Sequence, residues 1–212
     1  MPQSLFVWLC AAAVIALLFA ERRDDARLRA IFKSVASVAF LMAGLSGGAA
    51  ASPMNLALVA GLAFSAAGDI FLLSRRDRCF LAGMAAFGVG HVAYAGAFIL
   101  GGFVFGLEAA TAAGMTLGAG LVFVGPMRTK MGALATAVGV YVLVISTMVG
   151  LSIGHFMSAG TTQSLQLAVG AAAFAASDLS VARDRFVRRD FLNRLWGLPL
   201  YYGAQLLIAT AV

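Results

Sequence analysis

Residues 54–100 read MNLALVAGLAFSAAGDIFLLSRRDRCFLAGMAAFGVGHVAYAGAFIL. Two apolar runs, 54–73 and 79–100, flank a connector that holds Arg75, Arg76, Asp77 and Arg78. Each run is about the 20 residues a helix needs to cross the hydrocarbon core of a bilayer. The short connector leaves the chain nowhere to go but back, so the segment reads as a pair of antiparallel membrane helices.

The same pattern extends in both directions. Apolar runs fall at 4–20, 31–48, 54–73, 79–100, 104–124, 131–153, 163–182 and 195–212, and they alternate with short connectors. The first connector holds Arg22, Arg23, Arg27, Arg29 and Lys33. The third holds Arg75, Arg76 and Arg78, the fifth Arg128 and Lys130, and the seventh Arg183, Arg185, Arg188, Arg189 and Arg194. These are all 15 Lys and Arg residues of the chain, and the second, fourth and sixth connectors have none. With eight spans, every basic residue falls on one face, which the positive-inside rule makes cytoplasmic. Seven or nine spans would scatter the charges over both faces. The expectation is an all-α, polytopic membrane helical bundle of eight transmembrane helices with both termini outside, forming a single integral domain over residues 1–212.

Composition agrees. The 212 residues are 62% hydrophobic and 11% charged, far from the usual half apolar and about a quarter charged of soluble domains. A net charge of +6 and a pI near 10 would suit nucleic acid, but the charges sit in short loops, where they set topology and meet lipid headgroups. No nucleic-acid partner is expected. The N-terminal run lacks the basic leader of a signal peptide, since Arg22 and Arg23 follow it, so it reads as a retained first helix. Cys10 and Cys79 fall at different depths and are not expected to pair. Ala-, Gly- and Arg-rich usage points to a bacterial inner membrane.

Two motifs stand in parallel: FSAAGD at 64–69 and FAASD at 174–178, each followed by a basic loop. Lys33 and Lys130 stand near the starts of spans two and six. The pattern is compatible with a four-plus-four parallel repeat, although common membrane patterning produces similar likenesses.

Ionisable groups inside spans cost several kcal/mol unless they face protein or water. Seven of the nine acids lie in or near loops; Asp69 and Asp178 do not. They precede Arg75 and Arg183 by six and five residues, which puts each roughly 8–9 Å inside the basic boundary. Two carboxylates at matching depth could line one cavity open to that leaflet. His91 and Tyr94 share a face of span four, Tyr201 and Tyr202 neighbour Gln205 in span eight, and Tyr141 lies within span six. Ser65 is one turn from Asp69, Ser177 precedes Asp178, and Lys33 enters span two from the basic side. Each has a plainer reading: Lys33 as a snorkelling interface residue, Tyr201 and Tyr202 as belt anchors, His91 as a packed helix contact, the aspartates as interhelical hydrogen-bond partners. His155, in an outer loop, has no assigned role. No metal-binding spacing such as CxxC or HExxH occurs. His91 with the two aspartates could hold a metal, but no metal or other cofactor is assigned.

The stretches GLAFSAAGDIFLL (61–73) and FLAGMAAFGVGHVAYAGAF (80–98) resemble the YhhN family of membrane proteins, which includes lysoplasmalogenases and the eukaryotic TMEM86 proteins. YVLVISTM (141–148), GAAAFAASDLSVARDRF (170–186) and YYGAQLLI (201–208) agree with it in order. One departure is Ser34 after Lys33, where the family often has Pro. The resemblance implies cleavage of the vinyl ether bond of a lysoplasmalogen to a fatty aldehyde and a glycerophospho-alcohol, or action on another ether or ester lipid. That chemistry needs a proton delivered to the alkene carbon, an oxocarbenium ion and a positioned water. Asp69 and Asp178 are the candidates for acid and base, because two nearby carboxylates in a low-dielectric cavity should not both ionise. Lys33, Ser65, His91, Tyr94, Tyr141, Ser177, Tyr201, Tyr202 and Gln205 would hold the substrate or orient water, with Lys33 and loop arginines attracting phosphate. The rival class is a proton-coupled transporter or lipid-binding protein.

Overall fold

The computed structural model describes residues 2–74 and 76–212, with only the backbone at Val124. Met1, expected outside, and Arg75, one of the arginines of the third connector, lie outside the described residues. The described chain is helical throughout, without strands. The helices are α1 (Gln3–Arg22), α2 (Ala26–Ser46), α3 (Pro53–Phe71), α4 (Asp77–Leu100), α5 (Leu107–Val124), the single-turn α6 (Arg128–Met131), α7 (Ala135–Ala159), α8 (Thr162–Phe186) and α9 (Phe191–Thr210).

Local chemistry sets several of these boundaries. Asp25 caps α2 by accepting from the Arg27 and Leu28 amides, and Ser52 caps α3 by accepting from Asn55 N, with Pro53 next to it. Such caps satisfy amides that the first helical turn leaves without partners and contribute about 1 kcal/mol each. Thr161 and Ser164 form a reciprocal capping box at α8, and Asp190 caps α9. Gly160, at φ +60°, ends α7 in the left-handed conformation that glycine adopts without steric cost.

The surface is that of a protein whose solvent is lipid. Trp8, Ile15, Leu107 and Val122 are each at least 70% exposed, a display of large apolar side chains that water would penalise. By length and hydropathy six stretches qualify as membrane spans, which makes the chain an integral membrane protein. They are α1, α2, α3, α4, the whole of Leu107–Ala159, and α8. That differs from the eight expected for two reasons. The 53-residue stretch Leu107–Ala159 counts once, although a span needs only about 20 residues and the backbone turns at Gly132 (φ +52°). Helix α9, which carries Asn193, Arg194 and Pro199, does not count.

Helices pack chiefly with their sequence neighbours: α1 on α2, α3 on α4, α5 on α7 and α8 on α9. Small residues permit the close approach that van der Waals packing between membrane helices requires. A Cβ at Gly68 would lie 2.7 Å from the Phe87 ring, and one at Gly61 would collide with the Tyr94 ring. Phe174 on α8 sets its edge against Phe87, His91 and Tyr201, with centroids 6.0, 4.5 and 5.2 Å away, so α4, α8 and α9 share one aromatic core.

The two ends of the bundle are held differently. At the basic end, Arg194 pairs with Glu21 and, at 3.4 Å, with Asp184. Arg29 pairs with Glu21 and Asp24, both at 3.2 Å, and Arg185 with Asp77. The first, third and seventh connectors therefore meet. At the other end amides grip the chain terminus: Gln3 Nε2 donates to Ala43 O and Ala209 O, Asn55 Nδ2 to Val212 O, and Gln163 Nε2 to Ala211 O. His155 joins that end, bonded through Nδ1 to Gly102 O at 2.7 Å. Cys10 and Cys79 are both free thiols.

Candidate active site

Asp69 sits in the last turn of α3 and is 2% exposed. A carboxylate so placed must be paired and hydrogen-bonded, and donors from two other helices do this. Lys33 Nζ on α2 lies 3.2 Å from Asp69 Oδ1. Asp69 Oδ2 accepts from Ser37 Oγ at 2.6 Å, Tyr201 OH at 2.9 Å and Tyr202 OH at 3.4 Å. Lys33 and Ser37 are one turn apart on α2, and Tyr201 and Tyr202 converge on one oxygen although they are adjacent in α9. Every partner of this carboxylate among the described residues is a donor, and Lys33 is the cation beside it.

Asp178, on α8, is built differently. Its Oδ2 accepts from Tyr141 OH at 2.7 Å. His91 Nε2 lies 3.1 Å from Tyr141 OH and 3.7 Å from Asp178 Oδ2. Tyr141 has one hydrogen and spends it on Asp178, so His91 Nε2–H donates to the tyrosine oxygen, which fixes the tautomer by inference. His91 Nδ1 is then a buried acceptor without a partner among the described residues. The Asp178 side chain is 20% exposed and faces a cavity.

That cavity, about 430 Å³, falls within the range of small-ligand sites and is mainly apolar. Phe80, Met84, Phe87, Val138, Val142 and Ile145 form much of its wall, and Lys33, Asp69, Tyr141, Ser177, Asp178 and Tyr201 also line it. A second hollow of about 520 Å³ adjoins it at the basic end, sharing Lys33, Leu72, Phe80, Ser180, Val181, Phe186 and Leu198. It is cationic: Arg29, Lys33, Arg185, Arg188, Arg189 and Arg194 line it against Glu21 and Asp184.

The expected site residues divide accordingly. Tyr201 and Tyr202 are buried partners of Asp69, not interfacial anchors. Ser177 reaches the cavity wall, but its hydroxyl donates to Phe174 O at 2.7 Å. Ser65, His91, Tyr94, Tyr202 and Gln205 do not line the cavity. Tyr94 OH donates to Gln205 Oε1 at 2.7 Å in a sealed layer behind it, where Ser65 Oγ and Gln205 Nε2 have no partner among the described residues. No three metal-ligating side chains converge among the described residues; His91 stands with Asp178, while Asp69 faces Lys33. Ser37 is a site residue that the sequence pattern does not flag. Its only signal is the i, i+4 relation to Lys33.

Comparison with known proteins gives the arrangement a context. A lysoplasmalogenase TMEM86A of Bos taurus is 34% identical over 173 residues, covering 80% of this chain and 70% of that protein. The lysoplasmalogenase TMEM86A of Homo sapiens is 33% identical over 176 residues, with the same coverage. No solved structure matches the chain. The family model for YhhN matches residues 28–212, a span that includes Lys33, both aspartates and every residue around them, and the chain belongs to the YhhN family.

Proposed function

We propose that the protein is a lysoplasmalogenase-like membrane hydrolase that cleaves the vinyl ether bond of a single-chain ether lipid. The observation that carries this is the junction of two hollows: an apolar one for a hydrocarbon chain and a cationic one for a phosphate, with two carboxylates lining the apolar side. The relatives named lysoplasmalogenase support the substrate class.

The different surroundings of the carboxylates suggest different roles. Asp69, saturated by donors and paired with Lys33, has no oxygen to spare for a proton. Its fixed negative charge would stabilise the oxocarbenium ion as that ion develops. Asp178 has one oxygen held by Tyr141 and a partly exposed side chain that lines the cavity, which suits a general acid. In this scheme Asp178 transfers its proton to the alkene carbon and the ether oxygen shares the resulting positive charge. Water adds to the oxocarbenium carbon and returns a proton to Asp178. The hemiacetal then collapses to fatty aldehyde and the free hydroxyl of the glycerophospho-alcohol. One water is consumed and the carboxyl is regenerated. Tyr141, held by His91, fixes the orientation of Asp178; Lys33 lines both hollows and would meet the phosphate.

The same reading includes eight spans, with α5 and α7 crossing separately and α9 as the last. The connectors that meet at the basic end would be cytoplasmic, the termini outside, and the membrane the bacterial inner one. The matching motifs of α3 and α8, each followed by a closely packed neighbour, support a four-plus-four repeat.

The test is mass spectrometry of a lysoplasmalogen incubated with the purified protein. Fatty aldehyde released by the wild type supports the hydrolase. Solute flux in liposomes without any aldehyde would favour the rival reading, a proton-coupled carrier.

A further inference from the structure

The apolar cavity has a wall that faces lipid. Met115 and Ala119 of α5 and Ala172 of α8 line it, and all three are exposed, Met115 at 71%. The reason lies in how α5 is mounted. It is seated on α7, where a Cβ at Gly150 would lie 2.7 Å from Ala113 and one at Gly120 2.6 Å from Val142, but it touches α8 only sparsely. The cavity wall is therefore thinnest between α5 and α8, and the same cavity is lined by Asp178. Ala172 stands six residues from Asp178 along α8, roughly 9 Å farther from the basic end.

We propose that a slot in this wall, between α5 and α8, is the exit through which the hydrocarbon chain of a single-chain lipid passes from the site into the bilayer. The inference rests on the hydrolase reading and deepens it. The phosphate sits in the cationic hollow at the membrane surface, the bond to be cleaved lies at Asp178, and the tail runs away from the basic end, out between α5 and α8. The lipid keeps the orientation it has in its leaflet, so it enters sideways and need not leave the membrane. Carbons beyond the slot touch lipid, not protein, and the site does not measure chain length. A closed cavity would do the opposite, because each methylene that fits or fails to fit a closed pocket changes transition-state binding.

The experiment has two arms. In the first, a lysophospholipid carrying a diazirine midway along its chain is irradiated with the wild-type protein, and adducts are mapped by mass spectrometry. Adducts on α5 and α8 around Met115, Ala119 and Ala172, displaced by unlabelled lysoplasmalogen, are expected. Adducts confined to other helices overturn the proposal, and this arm needs no turnover. In the second arm, kcat/KM is measured with ten-, fourteen- and eighteen-carbon alkenyl chains. The wild type should vary less than about threefold across the series, and Ala119→Phe and Ala172→Phe should lower the longer-chain values at least tenfold. Gly118→Phe, on the same helix with open space around its Cβ, should not. A sharp optimum at one chain length, or unaffected Ala119→Phe and Ala172→Phe variants, overturns the proposal. A protein that gives the adducts but cleaves no vinyl ether contradicts the hydrolase reading and leaves the slot standing.

Discussion

Asp69 and Asp178 follow nearly the same local sequence, one after FSAAG and the other after FAAS, and both line the apolar cavity. Their surroundings are opposite. Around Asp69 three hydroxyl donors and a lysine close on a carboxylate that is 2% exposed. Around Asp178 one tyrosine holds one oxygen, and the side chain stays 20% exposed in the cavity wall. The difference teaches that depth and sequence context bring a carboxylate to a cavity, whereas neighbouring helices decide how many donors close on it and how open it stays. On the proposed mechanism the closed carboxylate is the fixed charge and the open one the proton carrier.

Several substitutions would break or sharpen this contrast. Asp69→Asn carries the largest combined effect, because it leaves the Lys33 ammonium inside the bundle without its counter-charge. Such a loss costs about 3–5 kcal/mol, so turnover should vanish and the unfolding midpoint in detergent should fall. Full stability would show that Lys33 is solvated and that the pair is not the lock described. Lys33→Met is the milder break, since Ser37, Tyr201 and Tyr202 still donate to Asp69. A loss of about 2–3 kcal/mol is expected, the scale of a hydrogen bond to a charged group. If the two groups act as a unit, the Lys33→Met/Asp69→Asn double variant should be less destabilised than the sum of the single changes. Additive losses would deny the coupling.

On the Asp178 side, Tyr141→Phe removes the hydroxyl that orients the carboxyl. About 1–2 kcal/mol of stability should go, and kcat should drop roughly tenfold, about 1.4 kcal/mol in the barrier, with KM little changed. A rise in KM alone would make Tyr141 a binding group instead. The smallest effect is expected at Tyr94→Phe, which leaves Gln205 Oε1 without its donor. Roughly 1 kcal/mol of stability should be lost with kcat unaltered, and a matching loss of kcat would bring the sealed layer into the site.

The sequence shows why some of this was legible and some was not. Charge placement showed which connectors lie together, and the ion pairs Arg194–Glu21 and Arg185–Asp77 join three of them at one end. The cost of an intramembrane charge singled out Lys33, Asp69 and Asp178, because such a residue inside a span must face protein or water. Helical spacing put His91 and Tyr94 on one face, but not against the same neighbours: His91 turns to Tyr141, Tyr94 to Gln205. Spacing fixes a face of a helix, and only packing fixes which partner fills each part of it. Ser37 was invisible because a serine in a membrane helix usually bonds back to its own helix. Its bond to Asp69 depends on α3 lying beside it. Tyr201 and Tyr202 are also consistent with an interfacial belt, and the placement of α9 against Asp69 is what distinguishes the two roles.

The most direct test of the central claim is fatty aldehyde release by Asp178→Asn, with the unfolding midpoint measured on the same preparation. Among the described residues no lysine pairs with Asp178, and its side chain lines the cavity, so this variant should fold with nearly wild-type stability and release no aldehyde above background. Aldehyde released at the wild-type rate by the folded variant would contradict the assignment of Asp178 as the proton donor.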